Sequence, residues 1–360
     1  MRIILHLGTG KTGTTSLQAA MGRLRDQLLA QGIWYPDNPY AEDDSHHLLI
    51  GLYGEGLNEG AKIPGSPSIQ RKDMRSKALE FAKYIHAQAQ KIKPHTVVIS
   101  SELLIPSQEK NVTRLSEALS PITDDIRPIA YVREPADWYK SRLQPSAKGC
   151  VFHKPFPTPH LRTAFESIES AFEHRMLVRK FARKDLIGND IVSDFLEGVL
   201  GVEAKNFDYQ KVSENASISG ESAFALLVLG DALSRSRNPI FRLRMKWFRS
   251  WLKRNQHQLG NYSKHEIKPK LVQDIRRTST DYLWLKEHYG IEFEALNYEA
   301  IEPLDEATER RYQRPSHVCV VNEEKLASLL FEYMEKGMLF DVPNPLKVFS
   351  AFARKRSAHR

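Results

Sequence analysis

The chain has 360 residues but only two cysteines, Cys150 and Cys319, far apart and with no CxxC or Cys/His spacing. That leaves no basis for a disulfide framework or a structural zinc, and no metal is expected. No apolar run approaches the roughly 20 residues a membrane-spanning helix needs. The first residues already read as a strand, so no secretory leader is expected and the cytoplasm is the expected location. Acid is missing from two stretches. Phe241–Gln258 carries six basic residues and Lys347–Arg360 carries five, with no Asp or Glu in either. The net charge is +8, so the rest of the chain is slightly acidic and basicity is confined to two surfaces. A chain that is not basic all over gives no reason to expect a specific nucleic-acid partner. With 41% hydrophobic residues, it can bury a sizeable core.

The stretch from Ile3 to Leu17 concentrates what chemistry the sequence has. Ile3-Ile4-Leu5-His6-Leu7 reads as a buried strand. Gly8, Gly10 and Gly13 follow, interleaved with Lys11 and threonines, and an amphipathic helical pattern begins at Leu17. A strand, a Gly-rich turn and a helix N-terminus form an anion site. Exposed N–H groups and the helix dipole favour negative charge, Lys11 adds a full charge, and small residues let the anion touch the backbone. A phosphate or sulfate is the expected ligand. One glycine is absent. The P-loop of nucleotide triphosphatases needs Gly, four free residues, then Gly-Lys-Ser/Thr, and Leu5 occupies the position of that first glycine ahead of Gly10-Lys11-Thr12.

Three more strands are read along the chain. Thr96–Ile99 leads into Ser100-Ser101-Glu102, Pro128–Val132 leads into Arg133-Glu134-Pro135, and Met176–Phe181 is the last. Helical patterns separate them. These cover Arg75–Lys91, Asn111–Leu119, a helix from Pro135 expected to end by Pro145, Phe165–Phe172, and a helix capped by Asn189 that runs to Gly201. The alternation predicts an α/β fold, a P-loop-like parallel sheet flanked by helices, followed by a largely helical C-terminal part. That part comprises Ser219–Ser236, Ile240–Arg254, Pro269–Tyr289 and Glu323–Lys336. One domain over 1–345 is expected, with a core over 1–220, a helical elaboration beyond it and a basic tail at 346–360. Between Pro36 and Lys72 the turn residues read as a long connection containing His46-His47, expected as one surface and one buried histidine. Ligands of parallel sheets gather at the carboxyl ends of the strands. The turn at Gly8–Gly13, Ser100–Glu102 and Arg133 should therefore converge.

Lys11-Thr12-Gly13-Thr14-Thr15, followed by Leu17 and Gln18, resembles the 5′-phosphosulfate loop of sulfotransferases that use 3′-phosphoadenosine 5′-phosphosulfate (PAPS). A second resemblance lies in Arg133, Pro135 and Ser141, which match the arginine and serine that hold the 3′-phosphate of PAPS in that family. A looser one covers Val178–Phe181 and Asp194-Phe195-Leu196, and Asn215–Ser219 looks like bacterial carbohydrate-type members. The resemblance spans about residues 3–220. It implies PAPS binding by Gly10, Lys11, Thr12, Gly13, Thr14, Thr15, Ser16, Arg133 and Ser141, with Phe181 against adenine unless it is a core residue. It implies Lys11 as the group that neutralises the leaving oxygen, and Glu102 as the base, with His47 in reserve and His46 behind it. The implied acceptor is a carbohydrate or glycan. Two other readings stand beside it. Gly10-Lys11-Thr12 with Val97–Glu102 as a degenerate Walker B would suit a kinase. The basic, aromatic segment 240–254 would suit a binding module for an anionic membrane surface, a nucleic acid or a polyanion.

Overall fold

The computed structural model describes residues 1–53, 69–105, 109–156, 158, 160–173, 176–209, 218–235, 239–255, 263–333 and 335. The expected connection at 54–68, the Asn215–Ser217 part of the family match and the basic tail at 346–360 lie outside the described residues. The strands are β1 (Arg2–Leu7), β2 (Ile33–Trp34), β3 (Thr96–Ser101), β4 (Ile126–Val132), β5 (Leu177–Lys180), β6 (Glu266–Ile267) and β7 (Cys319–Val320). The helices in the first two hundred residues are α1 (Thr14–Arg23), α2 (Arg25–Ala30), α3 (Arg71–Ile92), α4 (Glu109–Leu119), α5 (Pro135–Lys148), α6 (Leu161–Ala171) and α7 (Ile191–Phe195). Later ones are α8 (Gly220–Arg235), α9 (Pro239–Asn255), α10 (Pro269–Arg277), α11 (Asp281–Tyr289), α12 (Glu306–Arg311), α13 (Pro315–Val318) and α14 (Glu323–Glu332). Among the described residues, no helix is long and apolar enough to cross a membrane.

The chain packs into two compact units. The first comprises Met1–Trp138, Thr158–Asn215 and Arg276–Pro303, and the second Tyr139–Pro157, Ala216–Ile275 and Leu304–Arg360. The first unit is an α/β sandwich around a five-stranded parallel sheet in the order β2-β3-β1-β4-β5. Its layering follows from the period of two in a strand. Ile3, Leu5 and Leu7 join Val97, Ile99, Ala130 and Val132 in a core closed by Phe81, Ile85, Leu115, Phe165 and Leu285. Ile4, Val98, Ile129 and Tyr131 face the other way, onto Leu17, Met21, Leu28, Ile191 and Phe195. Truncating one of these large side chains to alanine costs about 2–5 kcal/mol. β1 is central, paired with β3 on one side and β4 on the other. The chain therefore reverses its direction of travel across the sheet at β1, and this is where parallel sheets leave a crevice.

Several elements differ from expectation for local reasons. The first helix starts at Thr14 and breaks at Leu24. Ile33–Trp34 adds a two-residue edge strand, too short to show periodicity. α5 continues through Pro145, whose ring removes one donor while Gly149 N–H bonds to the Pro145 carbonyl at 2.9 Å. Asp190, not Asn189, caps α7, accepting from Ser193 N–H at 3.1 Å, while Asn189 has φ +55°. Pro269–Tyr289 is two helices parted by Thr278-Ser279-Thr280, a run of hydroxyl side chains that compete for backbone groups.

In the second unit, β6 and β7 form an antiparallel pair. Buried Asp274 receives Lys270 Nζ at 2.7 Å, Arg311 at 2.9 Å and the Tyr312 hydroxyl at 2.7 Å. α9 buries Phe248, Trp251 and Leu252, while Lys246 and Arg254 are exposed. Phe248 and Trp251 thus pack inside the unit while Lys246 and Arg254 keep their charge at the surface.

Asp194 is the best-connected carboxylate of the first unit. Arg179 grips it through two bonds of 2.8 Å, and Tyr131 Oη and Ile187 N–H donate to it at 2.7 and 3.0 Å. Burial opposes its charge, but the Arg179, Ile187 and Tyr131 bonds outweigh that and hold its carboxyl below the ordinary 3.8. Replacing Asp194 by alanine strands the guanidinium and should cost about 3 kcal/mol in urea unfolding at neutral pH. Breaking the exposed Arg127–Asp125 pair should cost less than about 1 kcal/mol. The Asp194 contribution is complete above the unfolded-state value. It should fade as the pH falls through the lowered folded value, so the gap between wild type and Asp194→Ala should shrink in acid.

Candidate functional site

The loop after β1 is shaped by a shortage of space. A Cβ at Gly8 would lie 2.5 Å from Thr14 Oγ1 and 2.8 Å from Glu102 Cβ, so only glycine lets β1 end against β3 and α1 together. Beyond it Gly10, Lys11 and Gly13 all adopt left-handed backbone, with φ of +72°, +59° and +76°. For Lys11 that conformation costs about 1–2 kcal/mol, strain of the kind that clusters at ligand sites. α1 then begins with no side-chain cap and no acid in its first turn. The N–H groups of Gly10, Lys11, Thr12 and Gly13 donate to no acceptor among the described residues. The hydroxyls of Thr12 and Thr14 are buried without a partner among the described residues. Thr15 and Ser16 lie on the first turn of α1, exposed and half-buried. Nζ of Lys11 makes no ion pair among the described residues. Unpaired donors, a helix dipole and one free cation all favour the same occupant, a tetrahedral anion.

The end of β4 holds this loop from the side. Thr9 Oγ1 donates to the Tyr131 carbonyl at 2.6 Å, and Trp138 Nε1 donates to the Thr9 carbonyl at 3.1 Å. Arg133 Nη1 donates to the Lys11 carbonyl at 3.1 Å. The guanidinium sits 5.7 Å from the ring centroid of Phe181, whose Cε2 would be 3.1 Å from a Cβ on Gly13. Arg133 and Phe181 therefore form one wall of the loop, with the remaining Arg133 N–H groups uncommitted to any carboxylate among the described residues. Glu134 caps α5 through Asp137 N–H at 2.6 Å and pairs with Arg276 at 2.8 Å, so it does not neutralise Arg133. Ser141 lies on α5 in the segment that belongs to the second unit, and the contacts that assemble this cluster do not include it.

The other wall comes from β3. Glu102 follows its last residue, half-buried, with no hydrogen bond or ion pair among the described residues. His47 Nδ1 lies 2.8 Å from Ser101 Oγ. Burial lowers the His47 pKa, while nearby Glu102 and Asp43 pull it back up. Both histidines of the pair are buried, which corrects the expected surface position for one of them. The reason is that each has a polar partner inside. His46 accepts from Ser100 N–H at 2.9 Å through Nδ1, so its Nε2 carries the proton and donates to the Pro36 carbonyl at 2.9 Å. Burial lowers its pKa to about 4. A ring with both nitrogens committed is a structural tie, and His46 is thereby removed from the candidate bases.

One participant is missed by sequence reasoning. His6, the sole polar residue of the Ile3–Leu7 run, is fully buried, with Nδ1 2.8 Å from Ser100 Oγ and Nε2 unpartnered among the described residues. Desolvation lowers its pKa to about 4, which keeps it neutral under the loop. Gln18 on α1 also reaches Ser100, at 3.1 Å from its carbonyl. Its position in the strand alternation, opposite Leu5 and Leu7, is the signal that would have marked His6. Comparisons with protein-family models, with curated proteins and with solved structures find no match to this chain.

An unpaired buried hydroxyl costs stability until a ligand meets it. Thr12→Val, which keeps the shape, should leave the unliganded protein as stable as wild type or slightly more so by thermal unfolding. The same change should reduce the stabilisation that added pyrophosphate gives. Equal stabilisation of both proteins would exclude the Thr12 hydroxyl from the anion site.

Proposed function

We propose that this chain is a PAPS-dependent sulfotransferase that moves a sulfuryl group to a hydroxyl or amino group of an acceptor, with a carbohydrate or glycan as the acceptor class. The observation that carries the reading is the bond from Arg133 to the Lys11 carbonyl, which joins two motifs 122 residues apart in one site. A nucleotide bearing two separated anionic groups needs two such positions. The unpaired N–H groups of Gly10–Gly13 and the hydroxyls of Thr12 and Thr14 suit the 5′-phosphosulfate. The planar fork of Arg133 suits the 3′-phosphate, with Ser141 assigned there by family resemblance alone. Phe181, half-exposed beside Arg133, offers a face on which adenine can stack.

Sulfuryl transfer forms a bond from the acceptor oxygen or nitrogen to sulfur and breaks the bond from sulfur to the bridging oxygen. Negative charge builds on that oxygen, and Lys11 is the cation available to neutralise it. The acceptor proton passes to a base on the β3 side. Glu102 is free to receive it, and His47, held neutral by burial, is the second candidate. 3′,5′-Phosphoadenosine leaves. Val97–Glu102 and Gly10-Lys11-Thr12 also permit a kinase, which would require ATP and Mg²⁺. The basic face of α9 suits a peripheral contact with an anionic membrane where such glycans are assembled.

Transfer of labelled sulfate from PAPS should survive EDTA and fall by about 100-fold or more in Lys11→Ala and in Arg133→Ala. ATP-dependent phosphorylation abolished by EDTA would establish the kinase instead. Glu102→Gln and His47→Asn separate the two bases, the larger loss marking the group that takes the proton. If His47 is the base, activity should be retained as the pH falls through the ordinary histidine value of 6.5 and be lost only below it, because burial depresses its pKa. A rate that rises into acid would contradict general-base catalysis by either residue.

A further inference from the structure

Arg276–Pro303 belongs to the first unit although it follows the sheet by a hundred residues and lies outside the stretch that resembles sulfotransferases. It returns to the turn that carries Arg133. The Tyr282 hydroxyl donates to the Arg133 carbonyl at 2.5 Å. Arg276 Nε donates to Glu134 Oε1 at 2.8 Å, while Glu134 Oε2 receives Asp137 N–H. Phe293 sits edge-on to Tyr282, with ring centroids 5.8 Å apart. Lys180, the neighbour of Phe181, lies 5.3 Å from the Phe293 ring centroid. Tyr282 and Glu134 are each 6% exposed, whereas Arg276 reaches Glu134 from a half-exposed position.

These contacts fix the backbone on the C-terminal side of the Arg133 Cα, at its carbonyl and at Glu134, and the Lys180–Phe293–Tyr282 contacts brace the strand end that carries Phe181. The Arg133 side chain gets only one hydrogen bond of its own, to Lys11, among the described residues. Its aim therefore depends on the direction in which the backbone launches it. We infer that Tyr282 and Arg276 are positioning residues for Arg133, and that they set the affinity of the site for the 3′-phosphate. The inference rests on the proposed PAPS reading and names what in this chain preorganises that half of the site. Holding a binding group to within about half an ångström requires a supporting layer of this kind.

The test compares binding of 3′,5′-phosphoadenosine with that of adenosine 5′-phosphate, which lacks the 3′-phosphate, by calorimetry. Tyr282→Phe and Arg276→Ala should each weaken 3′,5′-phosphoadenosine about five- to tenfold, the scale of one lost hydrogen bond, and leave adenosine 5′-phosphate unchanged. In an Arg133→Ala background neither change should weaken binding further, and Arg276→Lys should restore part of what Arg276→Ala loses. Equal weakening of both nucleotides, or additive losses with Arg133→Ala, would overturn the positioning role. If Arg133→Ala itself binds 3′,5′-phosphoadenosine like wild type, it is the reading of the site that fails. Should Tyr282→Phe not fold, the half-exposed Arg276 carries the same comparison.

Discussion

The site depends on the absence of a side chain at Gly8. The end of β1, the first turn of α1 and the residue after β3 meet there more closely than any Cβ allows. Because they meet, the loop cannot run outwards. It must coil back through three left-handed residues, and its N–H groups are left pointing away from the protein's own acceptors. The same contact sets Glu102 beside the loop. A glycine-rich loop on a longer leash could satisfy its donors internally and would be no anion site at all.

From that contact the chemistry divides by strand. The loop between β1 and α1 supplies donors and Lys11, the end of β4 supplies a cation fixed to the loop, and the end of β3 supplies a carboxylate and, through Ser101, holds the imidazole of His47. Positive charge lies at the loop and on the β4 side, with proton-accepting groups on the β3 side. This is the polarity that the proposed transfer from an anionic donor to a protic acceptor requires. It follows from sheet order, since β1 has β3 and β4 as its two neighbours. Beneath it, Ser100 ties His6, His46 and Gln18 into a buried polar cluster that joins β1, β3, α1 and the segment before His47. The buried nitrogen of His6 and the loop threonines are the polar atoms whose satisfaction a bound ligand or water would change.

The sheet and the loop were legible because their signals are local. Runs such as Ile3–Leu7 and Thr96–Ile99 announce buried strands within a few residues, and the rule that ligands gather at strand ends brought Glu102 and Arg133 to the loop before any coordinates. What the sequence hid is non-local. Tyr282 reaches Arg133 across 149 residues and Arg276 reaches Glu134 across 142, with no spacing to mark them. The burial of both His46 and His47 was hidden for the same reason, since their partners Ser100 and Ser101 lie 54 residues away on β3. Pro145 and the break at Thr278–Thr280 misled in opposite directions. A proline removes only one donor from a helix that neighbouring bonds can carry, whereas three hydroxyl residues in a row can end one without any proline. The acceptor leaves no such local signature, and its chemistry is carried by resemblance rather than by residues.

The central claim is that one crevice holds a nucleotide by two anionic groups at fixed separation. The most direct measurement is a crystal structure with 3′,5′-phosphoadenosine bound. The account predicts the 5′-phosphate on the N–H groups of Gly10–Gly13 and the 3′-phosphate on the guanidinium of Arg133. A nucleotide seated elsewhere, or one whose 3′-phosphate faces solvent while Arg133 stays on the Lys11 carbonyl alone, would contradict it.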